Sequence, residues 1–197
     1  MHTHGRNDPM PRLDQYPQIQ LTPEQFELVV KEWLDGLGLN LHGYQSQHRE
    51  IVEGLDGEYE IDVTVRFDAL GANFLVLVEC KHYKNSVKRE IIQNLHSKLT
   101  SIGAQKGMVF STSGFQSGAL EFAKSHGIST IQVADGKTSY FTKALGGSSE
   151  PPTWANIESV VGWLIDGNSH AIVSSQHPEY LIGVLTNEPT VPCTLKS

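Results

Sequence analysis

Apolar residues recur along this chain first at helical and then at strand spacing. Phe26, Val29, Val30, Trp33, Leu34 and Leu37 fall on one helical stripe, and Thr22, Pro23 and Gln25 just before them form a capping box. A helix is therefore predicted to start at Thr22 and to stop at Gly36 and Gly38. Residues 44–53 are polar and mixed and read as a strand, with Gly54 and Asp56-Gly57 as a turn. The period then changes to two. Glu60, Asp62, Thr64 and Arg66 are expected on one face of a strand, with Ile61, Val63 and Val65 together on the other. Residues 68–73 turn the chain, and Phe74-Leu75-Val76-Leu77-Val78 runs on to Lys81 as a strand too apolar for an open surface, hence central.

A second helix is expected after a cap at Asn85 or Ser86, burying Val87, Ile91, Leu95, Leu99 and Ile102 and ending at Gly103. Met108 to Ser111 reads as a strand, Gln116 to His126 as a helix closed by Gly127, and Ile128 to Val133 as a further strand. Strands joined by crossover helices, after a meander, predict an α/β fold with a mixed sheet and helices on both faces. Residues 1–21 hold no periodic pattern and read as an arm. Gly146-Gly147-Ser148-Ser149 and Pro151-Pro152 mark a boundary between a domain over 22–145 and an extension over 146–197. In that extension 154–165 is expected to be an amphipathic helix and 180–185 a strand, serving packing or self-association.

Composition narrows the class. With 197 residues, 39% of them hydrophobic, the chain can bury one ordinary core. No run approaches the roughly 20 apolar residues of a membrane span, no secretory signal opens the chain, and two cysteines make no disulfide framework. A cytoplasmic, reducing setting is the expectation. The net charge of −7 argues against an obligate nucleic-acid binder, yet residues 80–106 carry Lys81, Lys84, Lys88, Arg89, Lys98 and Lys106 against the single acid Glu90. Phosphates respond to the local field rather than to the total.

The chemistry converges on one hairpin. If it is symmetric about Phe67 and Phe74, Asp62 stands directly opposite Glu79, and Lys81 shares their face. Two carboxylates about 4 Å apart repel by roughly 4 kcal/mol at an effective dielectric near 20, so a cation belongs between them. Lys81 could serve as a structural partner. Alternatively a hard divalent ion such as Mg²⁺ sits there, which would leave the lysine free to act on a phosphorus-centred transition state. Cys80 and His82 form no complete zinc site, and the glycines after the first helix stop a helix rather than bind a dinucleotide.

Asp62 followed by Glu79-Cys80-Lys81 resembles the PD-(D/E)XK nuclease signature, with Ile61 where proline often stands. Further segments, Asp56 to Asp62, Val78 to Tyr83, Gly103 to Gly107 and Ser113 to Ala119, resemble the catalytic domain of Mrr-type restriction endonucleases. The resemblance spans about 22–133. It implies a restriction-endonuclease-like, three-layer α/β/α fold with a central mixed sheet, and Mg²⁺-dependent DNA cleavage, with Mn²⁺ as a substitute, in restriction or phage defence. It also implies that Asp62, Glu79 and the Cys80 carbonyl ligate the metal and that Lys81 is the catalytic lysine. Glu27 matches a supporting acid, and Gln93 a polar position facing the site. Mrr proteins usually carry a separate recognition domain, and none is evident in this chain, so a partner protein and a homodimer are expected alongside DNA. Two other readings compete: a non-catalytic nucleic-acid-binding or assembly subunit, and a junction resolvase or RNA-directed nuclease of the same fold.

Overall fold

The structure is a computed structural model that describes residues 19–38, 41–135, 160–166 and 169–173. Residues 1–18 of the expected arm, the Gly146 to Pro152 stretch and the strand over 180–185 lie outside the described residues; Ile19 and Leu21, at the end of the arm, pack against the α1 core. Helix α1 (Pro23–Gly38) begins as the capping box requires: the Gln25 N–H donates to Thr22 Oγ1 at 3.2 Å and the Thr22 N–H donates to Gln25 Oε1 at 2.8 Å. Strands β1 (Gln45–Gly54), β2 (Gly57–Ala69) and β3 (Ala72–Lys81) form an antiparallel meander. Helix α2 (Arg89–Ile102) then crosses to β4 (Lys106–Ser111), and α3 (Ser117–Ser125) crosses to β5 (Ser129–Asp135), both in parallel with the strand before.

Two differences concern local signals. Helix α2 is capped at Lys88, in extended backbone and without a side-chain hydrogen bond, rather than at Asn85 or Ser86. Val87, expected inside the helix, instead bridges in parallel to Phe115, so the buried stripe begins at Ile92. The expected helix over 154–165 is replaced, in its described part, by strand β6 (Val160–Asp166), which pairs antiparallel with β5 and with β7 (Ser169–Val173). Its apolar residues Val161, Trp163, Leu164 and Ile165 are consecutive enough to be buried on both faces of a sheet, a pattern that helical periodicity imitates over a short window.

The seven strands of the described residues lie in chain order, β1 to β7, with β3 an interior strand and a parallel core, β3 to β5, flanked by antiparallel hairpins. One face packs on α1 through Phe26, Val30, Trp33, Leu34, Val63, Val65, Val78 and Phe110. The other packs on α2 and α3 through Ile61, Leu77, Ile92, Leu95, Val109 and Ala119. This is the three-layer α/β/α arrangement of the restriction-endonuclease fold. Ile61 and Val63 therefore bury on opposite faces, against the strict alternation expected of residues 60–66. The cause lies at the residue between them.

Candidate active site

Asp62 sits where the sheet splits. The β2–β3 ladder follows the expected symmetry from Ala69–Ala72 as far as Val63–Val78 and stops, one residue short of Asp62 and Glu79. On the other side the β1–β2 ladder pairs His48 with Val63 and Glu50 with Ile61 but passes over Arg49 and Asp62. Arg49 there has φ of 51°, a left-handed conformation that a non-glycine residue adopts at a cost. Freed from both neighbours, β2 turns over at Asp62, which sends Ile61 to the face opposite Val63. The Asp62 carboxylate replaces a ladder partner: the Cys80 N–H donates to its Oδ2 at 2.6 Å.

Glu79, on the last turn-free stretch of β3, faces α2. Its two oxygens are taken by different lysines: Lys81 donates to Oε1, and Lys98, from α2, donates to Oε2 at 3.0 Å. Burial pulls Glu79 upward, but Lys81 and then Lys98 outweigh it and hold the carboxyl below its ordinary pKa. Asp62 is the opposite case. Burial first and the Glu79 charge second push it above the ordinary range, beyond what the Cys80 N–H and Lys81 can offset. Burial would lower Lys81, yet Glu79 more than compensates and its pKa rises. The Cys80 thiol is turned into the α1 core and is pushed far up by burial, so it stays protonated and offers no soft ligand.

On the α1 side Glu27 is buried and bound by His48 Nε2 at 2.7 Å and by Arg49 Nε at 2.9 Å. Burial raises its pKa and these hydrogen bonds overcome that, leaving it lowered. Its charge in turn adds to the upward pressure on Asp62. The sheet split thus brings Glu27, Asp62, Glu79 and Lys81 into one electrostatic unit. Gln93 is not part of it: it is exposed on α2, about 140° around the helix from Lys98. The basic run over 80–106 is likewise no single patch, since Lys81 and Lys98 bind Glu79, Lys106 donates to the Gly127 carbonyl at 2.7 Å, and Arg89 lies over the Phe122 ring.

Three residues of the cluster escaped the sequence reading. Counting back along β1 from the Gly54 turn would have brought Arg49 opposite Asp62 and His48 beside it. Lys98 lies on the α2 side of buried Leu95 and half-buried Ile91 and Ile102, where a lysine among apolar positions signals a buried partner.

Among the described residues, no three His, Cys, Asp or Glu side chains converge closely enough to hold a metal by themselves. Two carboxylates that repel one another, with oxygen donors alone on offer, nevertheless suit a hard divalent ion, which completes its shell with water and phosphate. No helix of the described residues is long and apolar enough to cross a membrane.

Known proteins are similar to this chain. The chain is similar to the type IV methyl-directed restriction enzyme EcoKMrr of Escherichia coli, 32% identical over 119 residues that make up 60% of this chain and 37% of that enzyme. It thus spans well under half the length of that relative. Among solved structures it is similar to a protein of unknown function, AF1548, at 20% identity with a TM-score of 0.45, covering 54% of this chain and 55% of that one. The DNA modification-dependent restriction endonuclease AspBHI aligns at 16% identity with a TM-score of 0.31, over 63% of this chain and 35% of its own. The restriction endonuclease family Mrr_cat matches residues 19–138, a stretch that takes in α1, both carboxylate strands, the lysine and both crossover helices. The chain belongs to the Mrr family of restriction endonucleases.

Proposed function

We propose that this chain is a divalent-metal-dependent DNA endonuclease that hydrolyses phosphodiester bonds in restriction or phage defence. The observation that carries the reading is the break at Asp62. It sets a carboxylate with a raised pKa against Glu79, with a lysine at hydrogen-bond distance from the second carboxylate. A binding module has no use for buried negative charge facing phosphates. In this reading Asp62, Glu79 and the Cys80 carbonyl hold Mg²⁺, which Mn²⁺ can replace. The ion, when bound, draws charge from the phosphoryl oxygens and activates water. Lys81, held protonated by Glu79, contributes a fixed positive charge where negative charge develops in the transition state. Glu27 keeps Arg49 and His48 in place at the strand break. Gln93, exposed on α2 away from the Lys98 side of the helix, is given no role at the metal.

Two such chains paired about a two-fold axis would cut both strands, and recognition of the target falls to a partner or to sequence beyond the matched region. The test is incubation of plasmid DNA with the protein in Mg²⁺, in EDTA, and with the Asp62→Ala variant. Nicked or linear product only with the unaltered protein in Mg²⁺ supports the reading. Equal cleavage by the variant, or cleavage in EDTA, overturns the metal assignment. Branched DNA, single strands and RNA offered at the same salt concentration separate the duplex endonuclease from a resolvase or an RNA-directed enzyme.

A further inference from the structure

Lys98 stands apart from the rest of the basic run. Lys81 reaches Glu79 from two residues along the same strand, so it reaches an oxygen within its own element. Lys98 comes from the middle of α2, nineteen residues away, and closes the space over Glu79 from the helix layer. Its ammonium is 3.0 Å from Oε2, and its side chain is 22% exposed against 12% for Glu79. A lysine placed in a helix stripe between Leu95 and Ile102 gives up hydration and rotamer freedom, and the structure offers it this one carboxylate in return.

We infer that Lys98 is a positioning residue for Glu79: it reserves Oε2, fixes the plane of the carboxylate, and leaves Oε1 as the single oxygen that Lys81 and an incoming divalent cation share. This rests on the proposed metal-dependent reading of the site. Two consequences have opposite signs. With Oε2 occupied, Glu79 can give a metal only one oxygen, and a second fixed positive charge stands close by, so the ion binds more weakly than the carboxylates alone would allow. The same contact keeps the ligand in one orientation, so the ion that does bind is held for productive chemistry. Removing the Lys98 charge should therefore tighten metal binding and slow cleavage together.

The test compares the unaltered full chain with Lys98→Met, an unbranched, uncharged side chain one atom shorter, and Lys98→Arg, which keeps the charge. Mn²⁺ binding is measured by calorimetry without DNA, alongside thermal melting and plasmid cleavage at saturating Mg²⁺. The expected result for Lys98→Met is Mn²⁺ affinity about three- to ten-fold higher, the scale of one unit charge acting on a divalent ion through a high dielectric. Cleavage should fall at least ten-fold, and Lys98→Arg should restore both values most of the way. A purely structural lysine would instead lower the melting temperature and weaken binding and cleavage in step, which overturns the inference. Mn²⁺ affinity and cleavage equal to the unaltered chain overturn it too, while leaving the metal reading intact. If the unaltered chain itself binds no Mn²⁺, the metal reading fails and this inference fails with it.

Discussion

The β2–β3 hairpin ends in two carboxylate clusters that differ in every respect that matters. At its turn, Leu70 and Gly71 both have positive φ, 52° and 77°, as a two-residue type I′ turn requires, and the ladder is unbroken to the last pair, Ala69 and Ala72. Asp68 there is half-exposed and shared between Asn73 and His42. At the open end the ladder stops, Asp62 accepts a main-chain hydrogen bond in place of a strand partner, and its charge faces Glu79. The first carboxylate finishes a turn with water at hand to screen it. The second is buried, beside like charge, and short of a counter-ion. A carboxylate becomes a candidate for chemistry through what its surroundings leave uncompensated, and the same strand shows both outcomes.

The comparison can be broken most forcefully at Lys81. Lys81→Ala is expected to lower plasmid cleavage by at least about 100-fold, the effect of removing one group that stabilises transition-state charge, with DNA retention in gel shifts unchanged. Unaltered cleavage would leave the open end no different from the turn. Asp62→Asn should also abolish cleavage, yet raise the melting temperature at pH 7 by about 2–4 °C, which is what about 1 kcal/mol gives in a protein of this size. The sign follows from the raised folded pKa. Protonated Asp62 favours the fold below the ordinary value of 3.8, and that contribution disappears as pH rises through the higher folded value. The gap between Asp62→Asn and the unaltered chain should therefore close in melts run below about pH 4. Glu79, with its lowered pKa, acts in the other direction: its contribution is present at neutral pH and is lost as pH falls through the folded value.

Glu27→Ala is expected to cost about 1–3 kcal/mol in urea unfolding, since it strands His48 and Arg49 at the strand break. The smallest effect belongs to the turn. Leu70 is fully exposed in left-handed backbone, so Leu70→Asn should stabilise the chain by about 0.5–1 kcal/mol and leave cleavage untouched.

Much of this was legible beforehand, and the failures have physical causes. The capping box at Thr22, the interior place of β3 and the symmetric register that aligns Asp62 with Glu79 all follow from short-range rules, and the structure keeps each of them up to the split. The flip of Ile61 was invisible, because period two assumes an unbroken ladder and nothing in the residue types announces the break. The Glu79 contact to Lys98 and the Glu27 contacts to His48 and Arg49 join separate elements, so only the packed layers bring them together. Strand β6 reads as a helix in the sequence because a run buried on both faces has no distinguishing period.

Gly162 of β6 carries a consequence measured in time. A Cβ there would lie 3.1 Å from the Trp33 ring of α1 and 3.0 Å from Ile131, so the first helix of the chain rests against nearly the last described strand. Leu164 and Val173 belong to the same apolar cluster as Phe26 and Val30. A chain emerging from the ribosome can form α1 and the β1–β3 meander early, but it cannot close the layer over Trp33 until residue 173 has been made. Until β6 has been made, β5 has no strand on its outer edge, and the α1 face of the core stays partly open around Trp33.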